Sequence, residues 1–270
     1  MGASVITFLS DYGLADDFVG VCHGVIATIC PEARVIDITH GLARHDVRAG
    51  AVILAAALQY MPSGVHLAVV DPDVGAERRA VAVRLADGRV LVGPDNGLLA
   101  PAAESGGGVL EAVEIASSPF RLEPVSATFH GRDIFAPVAA RLAGGAALGD
   151  AGEPCDPAAL VKLELPRPRR ERGALIGHAL YVDRFGNVQL DVGHDDLADT
   201  GVKLGQRVEL RVASGTAYEA QVARTFADAS AGGLLVYEDA YRRLALAVSH
   251  GNAAERLGLA IDDEVRIAPK

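Results

Sequence analysis

Cysteine is scarce in this 270-residue chain: Cys22, Cys30 and Cys155 are the only three, and no two stand in a C-x-x-C pair. An odd number without that spacing argues against a disulfide framework and against a cysteine-rich zinc site, and it fits a reducing, cytoplasmic setting. No stretch approaches the roughly 20 uninterrupted apolar residues that a membrane span needs. The N-terminus runs into strand-like Val5-Ile6-Thr7-Phe8 without a signal-peptide pattern, so neither export nor anchoring is expected. A long basic block is missing as well. The formal net charge is -10 and the arginine clusters at 167–172 and 242–243 are short, so nucleic acid is not an expected partner. The chain has no P-loop, no G-x-G-x-x-G after its first strand-like run, and no H-E-x-x-H, so nucleoside triphosphates and dinucleotides lack their usual cradle. No metal and no cofactor is expected.

What is present is an apolar half, 50% of residues, enough to bury a substantial core. In the first part, β-branched runs alternate with helical ones: Val5 to Leu9, Asp16 to Ile29, Val35 to Ile38, Val47 to Tyr60, Val65 to Val70. That alternation predicts an α/β domain with a mostly parallel, βα-layered sheet. Ala80 to Leu85 and Arg89 to Val92 flank Asp87-Gly88, a tight-hairpin signal. A helix is predicted from about Phe135 to Leu142, stopped by Gly144-Gly145. Between Leu163 and Gly173, two prolines and dense charge discourage both helix and sheet, which sets the expected division: domain 1–162, linker 163–173, domain 174–270. The last part carries short β segments at regular spacing and reads as a smaller all-β barrel or sandwich.

Polar islands interrupt the apolar pattern at likely strand ends: Ser10-Asp11, Asp71 with Arg78, Asp95-Asn96, His130-Gly131-Arg132-Asp133, and Asp183 with Asn187. Loops at the carboxyl ends of parallel strands form the ligand crevice of open α/β sheets. Singly, each island is weak. An aspartate after a strand is usually a helix cap or turn residue, a lone histidine usually makes a structural hydrogen bond, and Arg78 and Arg79 read by default as solvated charges.

Together the islands resemble the S-adenosylmethionine hydroxide adenosyltransferase (hydrolase) family, which is related to the fluorinase and chlorinase enzymes. The resemblance is carried by Thr7-Phe8-Leu9-Ser10-Asp11-Tyr12-Gly13, Val70-Asp71-Pro72-Asp73-Val74-Gly75-Ala76-Glu77-Arg78, Gly93-Pro94-Asp95-Asn96-Gly97, Thr128-Phe129-His130-Gly131-Arg132-Asp133 and Tyr181-Val182-Asp183-Arg184-Phe185-Gly186-Asn187, in that order. It implies an N-terminal α/β domain, a C-terminal β-barrel and a homotrimer with active sites at subunit interfaces. It implies S-adenosyl-L-methionine as substrate. Asp71, Arg78 and His130 then carry the chemistry, with Arg79 one residue from the assigned arginine. Asp11 falls on the ribose-binding position, Asp183 and Asn187 on the methionine end, Phe129 and Gly131 beside the reacting centre, and Asn252 and Ala253 on a stretch whose backbone meets the adenine. Asp73 stands where the family usually has glycine, and His45 where an aromatic ring often stacks near the ribose.

These residue types suit attack of water on the ribose 5' carbon. The leaving group is a sulfonium that becomes a neutral thioether and needs no general acid, so alignment is the main requirement, and positioning is worth roughly 7–11 kcal/mol. Bulk water, with a pKa of about 15.7, must be activated or held with a lone pair aimed at carbon. His130 or Asp71 can accept its proton, Arg78 keeps Asp71 charged, and Asp11 can accept hydrogen bonds from both ribose hydroxyls. A halide needs neutral donors, whereas Asp71 and Gly131 occupy positions where the halogenases carry Tyr and Ser. The alternatives are an S-adenosylmethionine or nucleoside binder without turnover, a halogenase, and a metal-dependent hydrolase built from Asp11, Asp71, His130 and Asp133.

Overall fold

The computed structural model describes residues 4–198 and 202–270. The chain divides into two compact units, Met1–Leu163 and Glu164–Lys270.

In the first unit, β1 (Val5–Ser10), α1 (Phe18–Ile29), β2 (Arg34–Thr39), α2 (Val47–Leu58) and β3 (Val65–Val69) form successive βα layers, followed by β4 (Ala80–Leu85), β5 (Val90–Pro94), α3 (Ala100–Ser105), β6 (Val109–Glu114), α4 (Ala136–Ala143) and the two-residue β7 (Glu153–Pro154). The sheet order is β2-β1-β3-β5-β4-β6-β7. β2, β1, β3 and β5 run parallel, while β4, β6 and β7 complete the sheet antiparallel. Every residue of β3 and β5 is buried, as expected of inner parallel strands covered by helices. Ile6, Phe8, Val65, Leu67 and Val69 join apolar side chains of α1 and α4 in one core. The β4–β5 hairpin closes around Asp87-Gly88, as its sequence predicts. Strand β6 has no such signal, because two of its six residues are glutamate and Leu110 and Glu111 are exposed.

The predicted helix at 135–142 begins earlier. A single π-helical turn, Gly131–Phe135, runs directly into α4, so His130-Gly131-Arg132-Asp133 is the start of a helix rather than a loop. Single π turns of this kind are often found at functional sites.

In the second unit, β8 (Arg169–Glu171), β9 (Ala174–Val182), β10 (Val188–Gly193), α5 (His194–Ala198), β11 (Arg207–Val212), β12 (Ala217–Val222), β13 (Leu234–Glu238), β14 (Arg243–Val248), α6 (Ala253–Leu257) and β15 (Glu264–Pro269) follow one another. The order β10-β14-β13-β12-β11-β15-β9 closes through the β9–β10 pairing, giving a seven-stranded barrel with β8 added outside β9. Alternate residues point inward, as in Val208, Leu210 and Val212 of β11. Strand β8 corrects the expectation that 163–173 avoids sheet. Its two prolines, Pro166 and Pro168, lie before the paired residues. Arg172 and Gly173, both with positive φ, make a tight turn that folds Arg169–Glu171 back on β9 as an exposed edge strand.

Candidate active site

Parallel pairing of β1, β2, β3 and β5 puts their carboxyl ends on one edge of the sheet, and with them Asp11, His40, Asp71 and Asp95. Strand β4 runs the other way, and Ala80 pairs with Pro94, so the residues just before β4 arrive at that same edge. Arg78 and Arg79 reach the site by this reversal. Being adjacent in extended chain, they turn to different partners. Arg78 Nε donates to Asp71 Oδ1 at 2.9 Å and Oδ2 at 3.1 Å, and its Nη2 donates both to Asp71 Oδ2 and to His130 Nδ1, the latter at 2.8 Å. Arg79 donates to Asp95 Oδ2 from Nε at 2.9 Å and Nη2 at 2.5 Å, and to the Ala159 carbonyl. The constellation of Asp71, Arg78 and His130 is therefore assembled, and Arg79 belongs to a separate pair that ties Asp95 to the end of the unit.

The Asp71 and Arg78 side chains are each only 7% exposed, and the Arg78 guanidinium lies 5.2 Å from the centre of the Phe135 ring. His130 enters from the residue before the π turn. A guanidinium has donors and no acceptor, so the contact with His130 Nδ1 requires that nitrogen to accept, which puts the proton of the neutral ring on Nε2. Burial and the positive charge of Arg78 both hold the His130 pKa below its ordinary value, in keeping with a neutral ring.

Tyr12 is a residue the sequence reading left without a role. Its ring packs edge-on against Phe129 at 5.8 Å and near Phe18 at 5.9 Å, and Phe18 meets Phe129 at 5.1 Å. A Cβ on Gly131 would stand 2.1 Å from the Tyr12 hydroxyl, so glycine is required there for the close approach. Burial pushes the Tyr12 phenol well above its ordinary pKa, with further contributions from the charges of Asp71 and Asp11. Tyr12 thus stands among Asp11, Asp71, Phe129 and Gly131. The signal was its place in the loop after β1, beside Asp11.

Asp11 Oδ2 accepts from the backbone N–H of His45 at 2.8 Å, and His45 has a positive φ of 66°. Asp73 is exposed and has no positive φ, so the turn after Asp71 has no need of glycine at that position. The metal-hydrolase set does not assemble. Asp71 is turned to Arg78, and Asp133 is held by Arg132 Nε at 2.6 Å and by the Ser126 N–H at 2.8 Å.

In the barrel unit, Asp183, Asn187, Asn252 and Ala253 form one neighbourhood around Gly186. Asp183 Oδ1 accepts from Phe185 N at 2.8 Å and Asn187 N at 2.9 Å, and its Oδ2 from Asn187 Nδ2 at 2.8 Å. The Gly186 carbonyl accepts from Ala253 N and Ala254 N, both at 3.0 Å, and Asn252 caps α6 through Glu255 N at 3.0 Å. Gly186 has φ +79° and its missing Cβ leaves room for the Asn252 side chain. An open depression nearby is lined by Thr225, Phe226, Ala229, Ser249 and His250.

The fold and the site define a protein with an α/β unit that holds a part-buried carboxylate–guanidinium–imidazole cluster and a β-barrel unit with a tightly turned polar rim. The SAM hydroxide adenosyltransferase N-terminal domain family matches residues 6–152, and the corresponding C-terminal domain family matches residues 177–266. The chain belongs to the SAM hydroxide adenosyltransferase family. It is 50% identical to a (R)-S-adenosyl-L-methionine hydrolase of Salinispora tropica over 97% of each chain, and 37% identical to one of Thermus thermophilus over 97% of this chain and 98% of the other. A fluorinase of Nocardia brasiliensis is 29% identical over 90% of this chain and 89% of its own. The crystal structure of an uncharacterized conserved protein from Thermotoga maritima superposes with a TM-score of 0.91 at 38% identity, covering 97% of this chain and 99% of that one.

Proposed function

We propose that the chain hydrolyses S-adenosyl-L-methionine to adenosine and L-methionine, with water attacking the ribose 5' carbon. The observation that carries this reading is the Asp71–Arg78–His130 cluster, in which one arginine holds a carboxylate and an imidazole at once. Relatives at 50% and 37% identity bear the name of this activity.

The geometry supports a division of roles. His130 spends its Nδ1 lone pair on Arg78, so its free ring nitrogen Nε2 is a donor. A proton taken up by the ring would place an N–H against the guanidinium and break that bond. Asp71 is the acceptor of the trio, and it takes the proton of the attacking water, while His130 Nε2–H orients the water oxygen. Arg78 fixes both. Asp11 binds the ribose hydroxyls, Phe129 and Gly131 line the reacting end together with Tyr12, Asp183 and Asn187 hold the methionine end, and the backbone at Asn252 and Ala253 meets the adenine. A carboxylate beside the attacked carbon repels a halide, which weighs against a halogenase. A homotrimer, as the resemblance implies, and a cytoplasmic setting belong to the same reading. All three cysteines are free, and no helix among the described residues is long and apolar enough to cross a membrane.

The test is to incubate purified protein with S-adenosyl-L-methionine, with and without chloride and chelator, and to separate the products by chromatography. Equimolar adenosine and methionine, unaffected by either addition, support hydrolysis. A 5'-chlorinated product would identify a halogenase instead, and binding without product would leave a recognition module. Light scattering of the same sample checks the trimer.

A further inference from the structure

We propose that His23, Asp37 and His40 form a binding site for a divalent first-row transition metal, zinc in the first instance, at the edge strand β2 of the α/β unit. His23 Nε2 lies 2.9 Å from Asp37 Oδ1, and His40 Nε2 lies 3.1 Å from the same oxygen. The three ligand atoms fall within 4.8 Å of one another, and among the described residues no other such group of three is found. Zinc bonds of about 2.0–2.2 Å in tetrahedral geometry place ligand atoms about 3.3–3.5 Å apart, so the two separations from Asp37 need to open by a few tenths of an ångström and the two ring nitrogens, which lie within 4.8 Å of each other, need to stand at a similar distance.

His40 is the independent pointer to a ligand. It is 4% exposed, and its Nε2 is buried without a hydrogen-bond partner, because the nearby carboxylate oxygen lies out of line for an N–H donor. Its other ring nitrogen, Nδ1, is fixed by Ser10 Oγ at 2.7 Å. A metal-binding histidine is oriented in the same way, by a partner on the nitrogen that does not bind the ion. Phe8, fully buried, supports both rings, with its centroid 4.6 Å from that of His40 and 6.1 Å from that of His23. The two imidazoles and one carboxylate make a mixed nitrogen and oxygen set suited to zinc and its neighbours.

A local irregularity creates the site. In the β1–β2 pairing Phe8 stands opposite Asp37 and Leu9 opposite Thr39, so one residue, Ile38, is extra in β2. A bulge re-aims side chains, and here it brings Asp37 and His40 to a common point that α1 overlooks with His23. The half-open side chains of His23 and Asp37, 35% and 41% exposed, leave the remaining coordination positions to water. The ion would clamp the end of β2 to α1 and, through His40 and Ser10, steady the loop that carries Asp11. It takes no part in the proposed hydrolysis.

Chelator-stripped protein titrated with Zn2+ by calorimetry, and with Co2+ by visible absorption, tests the site. The expected result is one equivalent of either metal, at least tenfold weaker binding in both His23→Ala and Asp37→Asn, and a Co2+ spectrum without the thiolate charge-transfer bands that the cysteines would give. Added Zn2+ raises the thermal midpoint of the wild type and leaves that of the two variants unmoved. Both substituted side chains are partly exposed, and circular dichroism checks that the variants are folded. Absence of binding at about 100 μM metal, affinity unchanged in both variants, or thiolate bands in the spectrum overturns the proposal.

Discussion

Asp71 in the α/β unit and Asp183 in the barrel unit both follow a strand and both sit in a polar motif, yet their carboxylates are occupied in different ways. Asp183 accepts from the backbone N–H groups of Phe185 and Asn187 and from the Asn187 amide, all within four residues of itself. Asp71 is bound by Arg78, seven residues away and delivered by the reversed strand β4. The difference separates turn closure from chemistry. A carboxylate spent on its own loop fixes that loop, whereas one held by a distant side chain has been positioned by the fold, at a cost in desolvation that stability alone does not require.

The sharpest way to break the comparison is to remove the charge at each place. Asp71→Asn is expected to lower turnover roughly a hundredfold or more with binding retained, and His130→Ala to lower it by roughly tenfold to a hundredfold, because its proposed part is orientation. An Asp71→Asn enzyme with wild-type turnover would end the proposed mechanism. Truncation at Asp71 is the poorer test, since removing one partner of a buried ion pair costs about 3–5 kcal/mol of stability. The acid limb of kcat/KM should fall below the usual histidine value of about 6.5, since burial and Arg78 hold His130 neutral to lower pH. A limb above that value would contradict the Nε2–H assignment.

A second effect concerns the α/β unit alone. His66, fully buried on β3 with Nδ1 at 2.8 Å from Thr7 Oγ1, has its pKa lowered to about 4 by burial and, less, by Arg89. The unfolded chain then binds the extra proton between about pH 6.5 and 4, so this stability is present above the unfolded value and lost as pH falls through the folded one. The loss is on the order of 3 kcal/mol. Urea unfolding of this unit's signal across pH 4–7 measures it, and His66→Leu should flatten the slope. Arg79→Ala is expected to cost roughly 1–3 kcal/mol through Asp95 and leave kcat within about twofold. Urea melts and steady-state kinetics on one preparation separate it from Arg78.

Much of the fold could be read from the sequence because the inner strands are continuous apolar runs and the hairpin carries Asp87-Gly88. Strands β6, β8 and β15 could not. Their residues are charged or exposed on one side, and they exist because an edge of a sheet or a barrel gap accepts them. The motif at 128–133 was legible as a polar island and not as a helix start, since a π turn has no sequence signature of its own. The partnership of Asp71 with Arg78 followed from the resemblance. What sequence could not supply was the separation of Arg78 from Arg79, which depends on the register of Ala80 opposite Pro94. The role of Tyr12 was hidden for the same kind of reason: it depends on a contact with Gly131, far along the chain.

The smallest expected effect tests whether Asp183 does more than close its turn. An ionised carboxylate offers about four acceptor positions, and the hairpin uses two on Oδ1 and one on Oδ2. One position on Oδ2 is left, enough for a single bond from the ammonium group of a methionine. Asp183→Asn keeps an oxygen for the two backbone N–H groups if the amide turns its oxygen to them, and its nitrogen then faces Asn187 Nδ2 in place of an acceptor. Stability should fall by about 1 kcal/mol, the net worth of one such bond. If the spare position binds substrate, KM for S-adenosyl-L-methionine rises several-fold at unchanged kcat, because the lost interaction is made equally before and during the displacement. An unchanged KM alongside the same small loss of stability would make Asp183 a turn residue only, and the methionine end would then rest on Asn187.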